Sequence, residues 1–261
     1  MSLTLTVITV CYNAPPEHVA RTLESVREQV MCDIQHIVVD GGSCDDTLAA
    51  IHQYGVHLAL LISEPDNGIF DAMNKGIGLA ENDVVLFLNM NDSFHGNQAA
   101  RRALDHIERE CSDILYCDVD RSPWEPARFP WRLTAAFLCN VGLCHQGIFA
   151  RTSIFKNVGS FDTTYRIWAD NEWLLRAFDA GYQFRYASDI VTEMPPGGFT
   201  DQNSGVFESE RRRLIENRLS KFDQLTFKVY WFGARLIRRI KSRNFHIPPS
   251  LSMKIKSLRK S

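Results

Sequence analysis

Short apolar runs and amphipathic stretches take turns along the first 116 residues. Leu3 to Val10 is rich in β-branched residues and reads as a strand. Pro15 and Pro16 then open a helix to about Gln29, with Val19, Leu23 and Val26 on one face. Ile34 to Val39, Leu58 to Ile62, Asp83 to Leu88 and Asp113 to Tyr116 read as further strands. Helices are expected over about 45–54, 69–80 and 97–110, the first capped by Ser43 or Asp45. Strands alternating with helices at this spacing predict an α/β domain, with a mostly parallel central sheet flanked by helices.

Polar clusters follow four of these strands: Tyr12-Asn13, Asp40 to Asp46, Asp66-Asn67 and Asn89 to Asp92. The last is the most abrupt, because Val84 to Leu88 is wholly apolar and Asn-Met-Asn-Asp follows at once. One such cluster is an ordinary turn, since Asn and Asp turn chains readily. Four on one edge of a parallel sheet fit a ligand site, because such sheets bind ligands outside the carboxyl ends of their strands. Gly41 and Gly42 permit positive φ and close approach to the backbone. Neither GxxxxGK[ST] nor GxGxxG occurs, which sets aside a P-loop NTPase and an ordinary dinucleotide enzyme. Asn89, Asn91 and Asp92 offer hard oxygen ligands, suited to Mg2+ or Mn2+ bridged to phosphates rather than to zinc.

Beyond residue 120 the pattern loosens. Residues 121–140 hold two tryptophans and three prolines with little periodicity. Order resumes from Cys144 to Phe155 and in a helix from Ile167 to Gly181. Asp170 and Glu172 fall at the start of that helix, where its dipole favours acids and from where a general base can face a cleft. His145-Gln146 reads either as core or as a substrate contact. Met194 to Asn203 is a Gly/Pro-rich loop, and Gly205 to Leu219 a highly charged helix. Phe222 to Lys241 interleaves aromatic and aliphatic residues with Arg and Lys, as an amphipathic helix does.

Charge sharpens the division. The net charge of −2 conceals a stretch from 221 to 261 with 11 Lys/Arg against one acid, Asp223. The preceding residues carry 18 basic and 30 acidic side chains. A basic tail on an acidic body suggests contact with phosphate-rich material, either membrane headgroups or nucleic acid. Arg235, Arg238, Arg239, Lys241 and Arg243 beside Phe227, Tyr230, Trp231 and Phe232 fit a helix lying at an interface. The body contains no recognisable nucleic-acid module. Seven cysteines, an odd number without a CxxC pair, read as reduced thiols of a cytosolic chain. The amino terminus lacks a basic n-region, and no window reaches the roughly 18 uncharged apolar residues of a spanning helix. The expected location is therefore cytoplasmic, peripheral at the inner face of the membrane.

Taken together, TVITVCYN, VVDGGSCDDT, SEPDNGIFDAMNKGI, LFLNMNDSF, CHQGIFARTSIF, FDTTYRIWADNEWLLR and GGFTDQN resemble family 2 glycosyltransferases of the GT-A fold. The resemblance covers roughly residues 4–205, and DNGIFDAMNKGI and FDTTYRIWADNEWLLR are its specific signals. Within the family it is similar to enzymes of bacterial surface-polysaccharide synthesis, of the colanic-acid type. It implies a GT-A domain over 1–220, with a nucleotide-binding half to about 118 and an acceptor half from about 119. A basic amphipathic extension, 221–261, follows.

The same resemblance assigns roles. Thr9, Tyr12 and Asn13 would surround the base and ribose of a nucleotide-sugar, and Asp40 would hydrogen-bond the base. Asp66, Asp71, Asn74 and Lys75 would line the donor pocket. Asn91 and Asp92 stand where the family places its metal-binding acids, with Asp92 the principal ligand. Asn91 removes one of the two acids usual there, so weaker affinity for Mn2+ or Mg2+ is expected. Asp170 matches the catalytic base of inverting members, and His145, Gln146, Trp168 and Glu172 would belong to the acceptor side. The implied reaction moves a sugar from a nucleotide-diphosphate donor to a glycan acceptor, lipid-linked, in surface-polysaccharide synthesis. A catalytically silent nucleotide-sugar-binding subunit is the alternative that Asn91 raises. A sugar-phosphate nucleotidyltransferase is disfavoured, because CYNAPPEHVAR lacks the glycines of that class.

Overall fold

A computed structural model describes residues 2–227. The chain divides after Arg218. The first unit runs through β1 (Leu5–Cys11), α1 (Pro16–Arg27), β2 (Ile34–Asp40), α2 (Asp45–Tyr54), β3 (Leu60–Ser63), α3 (Ile69–Ile77) and β4 (Val84–Phe87). It continues with β5 (Ser93–Phe94), α4 (Ala99–Glu110), β6 (Ile114–Asp120), α5 (Ala135–Asn140), a 3-10 turn (His145–Gly147), β7 (Ile148–Arg151) and α6 (Thr152–Val158). α7 (Ala169–Asp179), β8 (Phe184–Glu193), α8 (Phe199–Gln202) and α9 (Ser204–Arg218) complete it. Of the second unit, residues 221–227 are helical. Tyr230, Trp231, Phe232 and the five basic residues from Arg235 to Arg243 lie outside the described residues, as does most of the expected amphipathic helix.

The eight strands form one sheet in the order β3-β2-β1-β4-β7-β6-β8-β5. The first four are mutually parallel. β7 runs antiparallel to both β4 and β6, β6 and β8 are parallel, and β5 is antiparallel to β8. The parallel half is the one whose strands and helices alternate cleanly in the sequence.

β1 is buried at every position, and β4 likewise, which is why each reads as a continuous apolar run rather than an alternating one. On one face Leu5, Val7, Leu86 and Leu88 join Leu115, Phe149 and the apolar stripe of α4, Ala100, Ala103, Leu104 and Ile107. Toward the sheet edge, Cys11 and Val38 pack with Val19 and Leu23 of α1 and Ile51 of α2. α3 covers the other face closely: a Cβ on Gly76 would stand 2.5 Å from Ile8 Cγ2. All seven cysteines are unpaired; three are buried, two half-buried and two exposed. Among the described residues no helix is long and apolar enough to cross a membrane.

Candidate active site

Asparagines make the turns after β1 and β4. Asn13 (φ 47°) and Asn91 (φ 84°) both occupy the left-handed region, which Asn enters more readily than bulkier residues. The Asn13 N–H donates to Ser43 Oγ (2.7 Å), and its Oδ1 accepts from the Cys44 N–H (3.0 Å). It thereby ties the loop after β1 to the loop after β2. The Asn91 N–H donates to Thr22 Oγ1 (2.8 Å), which donates in turn to the Asp92 carbonyl (2.7 Å). A hydroxyl of α1 thus grips the turn at the end of β4. Position 91 therefore has a backbone reason to hold Asn, besides any ligand role.

Asp40 is fully buried at the end of β2. Its Oδ2 accepts from the N–H groups of Gly42 (3.2 Å) and Ser43 (2.9 Å) and from Ser63 Oγ (2.8 Å), while Oδ1 accepts from Ser43 Oγ. This carboxylate organises its own loop. Gly41 is needed for a neighbour rather than for itself, since a Cβ there would lie 2.5 Å from Asp66 Oδ2. Asp66 Oδ1 accepts from the Gly68 N–H (2.8 Å), and Asp71 Oδ2 from the Asn67 N–H (2.9 Å). Lys75 pairs with Glu64 (2.8 Å) and donates to the Pro65 carbonyl (3.1 Å). Tyr12, 68% exposed, presents its ring at this edge.

Two expected donor contacts are engaged elsewhere instead. Thr9 has no exposure, and its Oγ1 lies 3.0 Å from His36 Nε2, which removes it from the nucleotide edge. Side chains alternate across a strand, and Thr9 falls on the same face as Cys11, under α1 and α2. Asn74 spends both ends of its amide on the Phe161 backbone, donating at 3.0 Å and accepting at 2.9 Å. It clamps the loop ahead of α7.

The 3-10 turn brings the remaining acids into one arrangement. Gln146 Nε2 donates to Asp92 Oδ2 (2.9 Å), and His145 Nδ1 lies 3.3 Å from Asp170 Oδ2. Consecutive residues therefore touch a carboxylate from the end of β4 and another from the first turn of α7. Burial pushes the Asp92 pKa up to about 6, against the Gln146 hydrogen bond and the charges of His145 and Arg21. Asp170 Oδ1 accepts from the Asn171 N–H (2.7 Å) and Nδ2 (3.0 Å). Asn171 is itself held on Leu143, whose N–H donates to Asn171 Oδ1 at 2.8 Å. A cavity of about 20 Å3, the size of one water, adjoins His145 and Asp170 and is otherwise walled by apolar groups such as Phe87, Phe161 and Trp173.

The donor set at the end of β4 suits a hard cation. Asn89 Oδ1 is buried with no hydrogen-bond partner among the described residues, and its backbone carbonyl closes the turn onto the Asp92 N–H (3.0 Å). An unpaired buried acceptor is costly unless something occupies it. With Asp92 and Asn91 it makes an all-oxygen set.

Three expected acceptor residues are placed otherwise. Gln146 is 4% exposed and serves Asp92. Glu172 is buried and paired with Arg176 (2.9 Å), whose other nitrogens donate to the Val158 and Ser160 carbonyls. Trp168 is 2% exposed and packs on Phe207, its ring centroid 5.1 Å away. Composition hid Glu210, a carboxylate that ties the chain ahead of α7: buried on α9, it accepts from the N–H groups of Arg166 (2.7 Å), Ile167 (2.9 Å) and Trp168 (3.1 Å). In sequence it is the second of two acids within GVFESERRR, with nothing to mark it. Thr22 is similarly silent.

Comparison with known proteins bears on the family and the fold. The model of "Glycosyl transferase family 2" matches residues 6–191. A "PGL/p-HBAD biosynthesis glycosyltransferase" of Mycobacterium bovis is 33% identical over 165 residues, 60% of this chain and 62% of the relative. The match thus spans less than two thirds of that relative's length. An uncharacterized glycosyltransferase of Mycobacterium tuberculosis is 34% identical over 180 residues, 67% of this chain and 68% of its own. Among solved structures, residues 1–349 of TarS from S. aureus superpose with a TM-score of 0.65 at 19% identity, covering 84% of this chain and 67% of that one. A Pyrobaculum calidifontis mannosyltransferase in complex with GDP-Man and Mn2+ superposes at 0.60 with 19% identity, covering 77% and 60%. These neighbours share the GT-A fold, and with the family model covering most of its length the chain belongs to glycosyl transferase family 2.

Proposed function

We propose that this protein is an inverting glycosyltransferase that moves a sugar from a nucleotide-diphosphate donor to a glycan acceptor in bacterial surface-polysaccharide synthesis. The observation that carries the reading is the pairing of Asp92 with Gln146 and of Asp170 with His145 on one turn. It sets one acid at the end of a central strand and a second on a separate element beside it, as a metal ligand and a base require. Tyr12, exposed beyond β1, stacks on the base, and Asp66 and Asn13 border the ribose and diphosphate. Asp92, Asn91 and Asn89 would hold Mn2+ or Mg2+, which would supply charge neutralisation for a departing diphosphate. Asp170 takes the proton of the acceptor hydroxyl as that oxygen attacks the anomeric carbon and the bond to the diphosphate breaks. His145 and Asn171 fix the carboxylate, His145 at Oδ2 and Asn171 at Oδ1. Solved neighbours bound to UDP-GlcNAc or to GDP-Man support a nucleotide-sugar donor of this general class.

Asp170→Asn is the direct test. It should abolish transfer while leaving nucleotide binding, read as a rise in melting temperature with UDP, GDP, CDP or TDP and Mn2+, within about twofold of wild type. Retained turnover in this variant would remove Asp170 from the role. A wild-type protein that none of the four nucleotides stabilises, with or without Mn2+, would favour a silent relative.

A further inference from the structure

A broad concavity lies away from the carboxyl edge. Residues 131–133, ahead of α5, face the corner where α7 runs into β8, and together they enclose a groove of about 570 Å3. That volume is within the range of small-ligand sites, roughly 300–1,000 Å3. Asp170 stands in the first turn of α7 and Phe178 in the last, so the helix rise alone separates groove from base by ~12 Å.

The lining is distinctive. Trp131 is 80% exposed, a large apolar surface left in water. Phe178 and Phe184 present tilted rings 6.0 Å apart, and Tyr182 is fixed by a hydrogen bond from Asn157 Nδ2 (2.9 Å) to its hydroxyl. Arg185 is steadied by Gln183 Oε1 (3.3 Å) and the Phe184 carbonyl (3.2 Å). Arg132 has no ion-pair partner among the described residues. No acid lines the groove. The nearby acids are engaged elsewhere, Asp179 with Arg218 and Asp113 with the Gln183 N–H.

We infer that this groove is a second saccharide site, taking a negatively charged glycan. Aromatic faces suit the apolar C–H faces of pyranose rings, and a guanidinium fork suits a carboxylate or phosphate borne by the sugar. A neutral glycan would leave both arginines without a counter-charge. A bilayer would need a convex or flat face, and this one is concave. The site would hold a charged unit of the growing chain while another unit is presented to Asp170; in that last respect it rests on the proposed transferase reading.

Titration calorimetry of the full chain with oligogalacturonate, against neutral maltooligosaccharide of equal length, tests the inference. The uronate should bind saturably, more weakly at high salt, and the neutral sugar should not. Trp131→Ala and the double variant Arg132→Gln/Arg185→Gln should each weaken binding by about tenfold or more. All three side chains are exposed at the surface or only partly covered, so the fold should tolerate their loss. Asp92→Asn should leave this binding unchanged. Absent binding, equal affinity for the neutral sugar, or undiminished binding in the groove variants would overturn the inference. So would displacement of the uronate by phosphatidylglycerol vesicles, which would make the face a membrane contact. Transfer activity is not read here, so failure would leave the transferase reading standing.

Discussion

Asp92 pays a stability cost for its position, and Asp92→Asn should remove it. The carboxylate is fully enclosed, and burial raises its pKa from 3.8 to about 6. In the cation-free protein the folded state therefore keeps a proton that the unfolded chain releases between those values. Stability attributable to this group is fully present below about pH 4 and is lost as pH rises through about 6. The difference of roughly two pH units corresponds to about 3 kcal/mol. Asparagine has nearly the same shape, carries no charge, and keeps a carbonyl oxygen for Gln146 Nε2. Urea unfolding without metal at about pH 7.5 should show the variant more stable by up to about 3 kcal/mol, the gap closing toward about pH 4. Mn2+ with nucleotide should then stabilise the wild type and not the variant. A variant equally or less stable at neutral pH, or a gap indifferent to pH, would refute the argument.

Other perturbations probe the supports. Glu210→Ala strands three N–H groups ahead of α7, that of Trp168 buried and the other two partly so, and should cost about 2 kcal/mol in urea unfolding, with Glu210→Gln losing less. Gly142 has φ +75° and a Cβ there would stand 2.8 Å from the Asn171 amide, so Gly142→Ala should destabilise by about 1–3 kcal/mol and lower kcat more than nucleotide affinity. Burial, and then the nearby charge of His57, lowers the His36 pKa to about 3. The stability this group contributes is present above its ordinary 6.5 and declines as pH falls toward 3, so His36→Asn should flatten the acid limb of a stability–pH curve.

The parallel half of the sheet was legible because its strands are buried on both faces and punctuated by polar turns. Four of its strands and the helices between them fall within a few residues of expectation, though the third strand begins at Leu60 rather than Leu58. β8 was not foreseen: FRYASDIVTE mixes exposed and buried positions irregularly, and shifts in its register against β6 break the alternation. At the site, chemistry was readable and orientation was not. Asp92 and Asp170 could be singled out by residue type and flanking pattern, and the structure brings both to the His145–Gln146 turn. Thr9, Asn74, Gln146 and Glu172 carry the right atoms but direct them inward, which depends on strand parity and on long-range partners such as His36 and Phe161. Asn91 looked like a lost acid, and its positive φ supplies a conformational reason for the amide that no list of ligands contains.

The grip of His145 and Gln146 on two separate acids bears on how such a protein can diversify. A residue inserted between them would shift one contact relative to the other, so this turn cannot change length without uncoupling the acids. The chain from Arg121 to Thr134, largely exposed and reaching the outer groove, has no such obligation. Lineages altering their acceptor should therefore vary in length there, while the dipeptide at 145–146 stays fixed in register with Asp92 and Asp170.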